Sequence, residues 1–193
     1  FVKEVSDAVA QLARLGMLVG LSQALVKVAS PGVPDYYQGT ELWDFSLVDP
    51  DNRRPVDYAV RRKLLSERNP DGWSLLKTLE DGRAKLHVIR KGLEVRRSHP
   101  RLFHGGKYSP LYADAGREEN IVAFSLRQGA RTVVAVAPRL FAGLMEEGDP
   151  APLGERAWGE AKLALPEGAY HNVLTDEPIS GGAQRVSALL ARF

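Results

Sequence analysis

The sequence predicts an α/β segment over residues 1–104, followed by an antiparallel all-β domain over residues 105–193. Two observations carry this. Apolar residues recur every three or four positions through most of the first half, the period of helices packed on one side. After about residue 105 the pattern changes to short β-prone runs separated by turn residues, the signature of a small antiparallel sandwich.

The first element is a helix over residues 1–29, with Val2, Val5, Val9, Leu12, Leu15 and Val19 as its expected inward stripe. Gly16 and Gly20 on this helix mark a kink or a close neighbour. Ser30-Pro31-Gly32 stops it, because the residue before a proline avoids the helical region. Residues 33–38 are short and β-prone and read as a strand. Residues 39–57 form a loop long enough to suggest function. Helices are expected over residues 58–68, 73–80 and 82–98, the last with Leu86, Ile89 and Leu93 inward, and Pro100 closes the helical half. Strands are expected over residues 107–112, 121–126, 132–137, 161–165, 170–174 and 185–190, with Gln128-Gly129 turning a hairpin. Residues 145–156, rich in glycine, proline and acids, look least ordered.

Composition narrows function by exclusion. In 193 residues, 44% hydrophobic and 26% charged, the net charge is only +2, and the pairs Arg53-Arg54, Arg61-Arg62 and Arg96-Arg97 are dispersed. No nucleic-acid partner is expected from that balance, and the last two pairs read as solvated helix faces. No uncharged apolar run reaches the ~18–20 residues that span a bilayer, so no membrane partner is expected. There is no cysteine, hence no disulfide and no thiolate metal site, which fits a cytoplasmic location. His87, His99, His104 and His171 lack the close spacing of a zinc motif, and neither a glycine-rich phosphate loop nor a serine elbow is present. No cofactor and no metal are therefore expected.

The stretch "SPGVPDYYQGTELWDFSLVDPDNRRPVDY", residues 30–58, is the most informative. It sets aromatic side chains among six carboxylates and two adjacent arginines. Aromatic faces suit the C–H faces of a sugar ring, carboxylates accept from its hydroxyls, and guanidinium groups donate to them in a fixed fork. Asp49 and Arg53, four residues apart, could converge on adjacent hydroxyls. Tyr37, Gln38, Glu41, Trp43 and Asp44 are weaker candidates for the same surface. The rival reading is a structural loop, in which Arg53 or Arg54 bridges carboxylates and Trp43 plugs a gap. In the β half, Tyr108, Tyr112, Trp158 and Tyr170 read as sandwich core in preference to a glycan-binding face.

The quoted stretch resembles the maltooligosyl trehalose synthase family, within the α-amylase superfamily of glycoside hydrolases and transglycosylases. The superfamily's "PG-P--YYG-E" pattern is matched by Pro31, Gly32, Pro34, Tyr36, Tyr37, Gly39 and Glu41, with Gln38 as an insertion; the string through Arg53-Arg54-Pro55-Val56-Asp57 points to the synthases. "RLFHGGKYSPL", "IVAFSLRQGARTVVAVAPRL" and "LPEGAYHNVLT" extend the resemblance more weakly. It implies the last strand and helices of a (β/α)8 barrel, followed by a C-terminal β-sandwich. It also implies conversion of the reducing-end α-1,4 linkage of a maltooligosaccharide into an α,α-1,1 linkage, through double displacement by a retaining carboxyl pair.

In that family the catalytic acids lie on the fourth, fifth and seventh barrel strands, which precede the part matched here. The chain is thus expected to be a C-terminal fragment, to contain no catalytic residue, to be inactive alone, and to need the N-terminal remainder of its barrel as partner. From related transglycosylases sharing "DPDNR", the resemblance implies donor-side glucose contacts for Asp49 and Arg53; Asp35, Asp51 and Asp57 are read as structural. The alternatives are another α-glucan hydrolase or transferase of the superfamily, or a stand-alone carbohydrate-binding module. Missing barrel partners would leave the stripe from Val2 to Val19 uncovered and invite self-association.

Overall fold

The computed structural model describes residues 1–67, 71–146 and 148–193, apart from the side chain of Gln11. Helix α1, Val2–Ala29, is followed by a long loop and by α2 (Tyr58–Ser66), α3 (Gly72–Lys77), α4 (Arg83–Ser98) and α5 (Pro100–Gly105). Then come β1 (Lys107–Leu111), β2 (Ile121–Gln128), β3 (Arg131–Pro138), α6 (Gly154–Trp158), β4 (Lys162–Asn172), β5 (Glu177–Arg185) and α7 (Val186–Leu189). Arg68, the predicted end of the second helix, and Asn69-Pro70 lie outside the described residues.

The strands form two antiparallel sheets, β1-β2-β3 and β4-β5. The Gly129-Ala130 turn joins β2 and β3 with Gln128 opposite Arg131, and Gly129 takes the left-handed φ of 58° that such a turn needs. The sheets share a core in which Ile121 and Ala123 of β2 meet Leu163 and Leu165 of β4 around Trp158 and Val186. Trp158 is 1% exposed and donates its indole N–H to the Pro152 carbonyl at 2.7 Å, so it is core, as read from the sequence. Tyr108 and Tyr112 are not core; both are exposed.

Other clusters knit the helices to the sheets. Met17, Leu18, Leu21 and Ala24 of α1 pack with Leu75, Leu76 and Leu79, with Val88 and Ile89 of α4, and with Phe141 and Ala151. Ala29, Leu102 and Phe103 pack on Phe124, Leu126 and Ala135. Helices α1 and α4 approach closely at Gly92, where an added Cβ would lie 2.4 Å from a Val28 methyl. Arg96 covers the end of α1, donating to the Val28 and Ser30 carbonyls at 2.9 and 2.8 Å and also to the Gly32 carbonyl. It satisfies carbonyls that every helix leaves open at its C-terminus. Arg96 is therefore a structural clamp and not part of a solvated face.

The structure corrects several expectations. The buried face of α1 is Met17, Leu18, Leu21, Ala24 and Val28, whereas Val2, Val5, Val9, Leu12 and Val19 are exposed. By length and composition this helix could also cross a membrane, but its C-terminal half packs against α4 as a core helix does. Residues 33–38 are not a strand: a strand needs a ladder, and no described segment pairs with them. Leu93 is exposed. Pro100 opens α5 at its first turn, where its missing N–H costs no hydrogen bond. Residues 161–165 and 170–174 are not two strands; β4 runs through both, with a register shift between Leu165 and Ala169. Residues 185–190 are not a strand: Arg185 ends β5 (Glu177–Arg185), a strand the sequence reading missed, and Val186–Leu189 form the short helix α7.

Candidate functional site

The loop between α1 and α2 is shaped by short-range hydrogen bonds. Ser30 ends the helix in an extended conformation, with its backbone N–H and its hydroxyl both donating to the Val26 carbonyl. Gly32, at φ +88°, donates its N–H to the Phe103 carbonyl at 3.0 Å and turns the chain outward. Tyr36 then packs inward against the α1 core, while Tyr37 and Gln38 face solvent. The Tyr36 hydroxyl is buried without a partner among the described residues, and burial pushes it above the usual phenol range. A turn follows at Gly39, with φ +89°, where Thr40 donates its N–H to the Tyr37 carbonyl at 3.1 Å.

Two anchors fasten the next stretch to the body. Arg61 of α2 donates to Glu41 at 2.9 Å and to the Gly39 carbonyl at 2.6 Å. Trp43 donates its indole N–H to the Leu79 carbonyl at 2.6 Å. An added Cβ on Gly20 of α1 would sit 3.1 Å from the Trp43 ring, and the Lys85 ammonium lies 5.4 Å from its centroid on another side. Trp43 thus plugs a gap, as the structural reading proposed. Gly20 is the close neighbour foreseen on α1.

Beyond Trp43 the chain returns through carboxylate turns. Asp44 accepts from the Ser46 N–H at 2.9 Å, and Ser46, through its hydroxyl and its backbone, holds the Asp44 carboxyl below the usual range. Asp51 accepts the Leu47 N–H at 2.8 Å and pairs with Arg54; these contacts lower its pKa, the backbone donor more than the arginine. Asp57 caps α2, accepting from the Ala59 and Val60 N–H groups at 2.9 and 3.0 Å. The structural roles expected for Asp51 and Asp57 are the ones observed.

These turns bound a cavity of about 420 Å³, walled by Gln38, Trp43, Asp44, Phe45, Arg54 and Arg61 among others. Asp49 and Arg53 stand elsewhere on the same loop, paired with each other at 2.5 Å; their side chains are 55% and 66% exposed. The fold thus brings Gln38, Trp43 and Asp44 to one cavity, sets Asp49 and Arg53 apart as an exposed pair, and uses Glu41 in an ion pair. Sequence reasoning missed Phe45, which is exposed at the cavity, and Asn52, whose Oδ1 is buried with no partner among the described residues. It read Arg61 as part of a solvated helix face, whereas Arg61 is largely buried against Glu41; that carboxylate lies twenty residues away and left no local signal. Chemically, the loop offers an exposed aromatic ring, ionised carboxylates and guanidinium donors side by side, the combination that grips a polyhydroxylated ring.

No family model matches the chain. Two curated Mycobacterium tuberculosis proteins named for maltooligosyl trehalose synthase are 39% identical to it over 178 residues, which is 92% of this chain and 20% of each of theirs. The solved maltooligosyltrehalose synthase of Arthrobacter ramosus superposes with a TM-score of 0.77 at 35% identity, covering 97% of this chain and 23% of that one. A further maltooligosyl trehalose synthase crystal structure gives 0.70 at 31% identity, over 94% and 22%. The chain spans about a fifth of the length of the curated relatives it matches. Over most of its own length, it is homologous to maltooligosyl trehalose synthase.

Proposed function

We propose that this chain is the C-terminal part of a maltooligosyl trehalose synthase, and that its loop over residues 38–57 forms one wall of the glucan site of the whole enzyme. The extended segment 33–38 supplies the last strand of a (β/α)8 barrel when the other strands are present, and the two sheets form the domain that follows. The whole enzyme turns the reducing-end α-1,4 linkage of a maltooligosaccharide into an α,α-1,1 linkage. The observation that carries this reading is the 39% identity spread over 92% of the chain, the loop included.

Within that site Asp49 and Arg53 contact a donor-side glucose. An exposed ion pair is worth only about 0–1 kcal/mol, so a sugar hydroxyl can replace either partner at little cost. Asp44, ionised under the influence of Ser46, accepts from hydroxyls at the cavity, and Phe45 offers the apolar face that Trp43, turned inward, does not. The carboxyl groups that break and remake the glycosidic bond come from polypeptide outside this sequence. The chain binds and shapes; it does not cleave.

Incubating the purified chain with maltopentaose and following loss of reducing ends tests this. No conversion is expected from the chain alone. Conversion is expected from a longer polypeptide that adds the remaining barrel strands, and Asp49→Ala should cut its rate. Turnover by the chain alone, or free glucose and shorter reducing maltooligosaccharides as the main products of the longer polypeptide, would overturn the reading.

A further inference from the structure

A second polar cavity, of about 250 Å³, lies between the start of α3, the middle of α4, the turn joining β4 to β5 and the C-terminal segment. It shares no lining residue with the loop cavity. Its polar walls are Asp71, His87, Lys91, Thr175, Asp176 and Arg192. Three of these have a neighbouring partner that orients them. Asp71 accepts from the Ser74 N–H at 3.2 Å, Asp176 pairs with His171 at 2.8 Å, and Arg192 pairs with Glu177 at 3.3 Å.

His87 is 6% exposed, and its Nε2 lies 3.0 Å from the Leu174 carbonyl. A carbonyl only accepts, so Nε2 carries the hydrogen. Burial holds the ring neutral, and Nδ1 is thereby an acceptor. The Thr175 hydroxyl oxygen is buried with no hydrogen-bond partner among the described residues, and Thr175 lines the cavity, so its hydroxyl is a donor still unspent there.

The formal charges of Asp71, Asp176, Lys91 and Arg192 cancel. An anion would meet both carboxylates, and a cation both basic groups, so neither gains from the site as a whole. A neutral molecule bearing several hydroxyls on a compact ring gains from all of it: it donates to the carboxylates and to the imidazole, and accepts from the ammonium and the guanidinium. Gly72 and Leu174 provide apolar floor between these groups. We propose that this cavity binds one neutral sugar ring, a free hexose or the terminal residue of an oligosaccharide, at a site separate from the loop.

The ring-proton NMR signals of His87 report on it directly. Glucose and trehalose are titrated into the chain, and inorganic phosphate separately. The expected result is a saturable shift of the His87 signals with at least one sugar and none with phosphate. Lys91→Met and Thr175→Val, each checked for an unchanged circular dichroism spectrum, should each weaken the sugar effect roughly tenfold at most and severalfold at least. Asp49→Ala with Arg53→Ala should leave it unchanged, which separates this site from the loop. A saturable phosphate response without a sugar response, silence with every probe, or wild-type affinity in both Lys91→Met and Thr175→Val would overturn the proposal.

Discussion

Replacing Trp43 tests whether the loop is anchored as described. Trp43→Phe removes the hydrogen bond to the carbonyl of Leu79, a residue that is fully buried. The Leu79 carbonyl keeps the Gly82 N–H at 3.2 Å, so only the net worth of one hydrogen bond, about 0.5–1.5 kcal/mol, and the contact of the outer indole ring with Gly20 are lost; about 1.5 kcal/mol is expected in all. Trp43→Ala also removes the ring. Full burial would put that loss at about 3–5 kcal/mol; Trp43 is only partly buried, so about 3 kcal/mol in total is expected. In a chain of this size the larger change lowers the melting temperature by roughly 6–12 °C. Urea unfolding followed by far-ultraviolet circular dichroism measures both variants. An Ala variant within about 0.5 kcal/mol of wild type would refute the anchoring role and return Trp43 to the candidate sugar contacts.

Three further outcomes are expected. Asp57→Ala should lose about 1 kcal/mol in the same unfolding assay, because two N-terminal N–H groups of α2 lose their acceptor. His87 is held below the ordinary imidazole range by burial, so the unfolded chain binds its proton more tightly. Its contribution to stability is complete above the unfolded pKa of about 6.5 and is lost as pH falls below that toward the folded value; urea midpoints from pH 8 to pH 5 should show this, and His87→Gln should flatten the change. Finally, the exposed Val2, Val5, Val9, Leu12 and Val19 should drive concentration-dependent self-association, which sedimentation velocity would detect and Val9→Lys with Leu12→Lys would suppress.

Local punctuation made the C-terminal end of α1 legible, because the residue before a proline avoids the helical region and Gly32 turns the chain away. The face it buries was not legible, since α1 has apolar residues on more than one side and packing alone chooses between them. β5 escaped notice for a similar reason. Its Gly181-Gly182 pair looks like a turn, yet an added Cβ at Gly181 would come within 2.4 Å of the Pro166 carbonyl, so glycine is what lets the strand lie against the irregular part of β4. Strand character over residues 33–38 was read from β-prone residues, but a ladder depends on a neighbour that no local pattern can reveal.

The loop divides along the same line. That residues 30–58 gather aromatic, acidic and guanidinium groups was visible in the string itself; for Asp51 and Asp57 only a structural role was read, and the N–H groups they accept from came with the fold. Which aromatic faces outward was not. Trp43 turns in because Gly20 and the Leu79 carbonyl, remote in sequence, leave room and an acceptor for it, and Phe45 takes the exposed position.

The most direct measurement of the central claim is a maltopentaose titration of the isotopically labelled chain, followed by backbone amide shifts. Saturable shifts are expected at Gln38, Asp44, Phe45, Asn52, Arg53 and Arg54, weakened by Asp49→Ala. Saturable binding whose shifts leave residues 38–57 unmoved would contradict the claim.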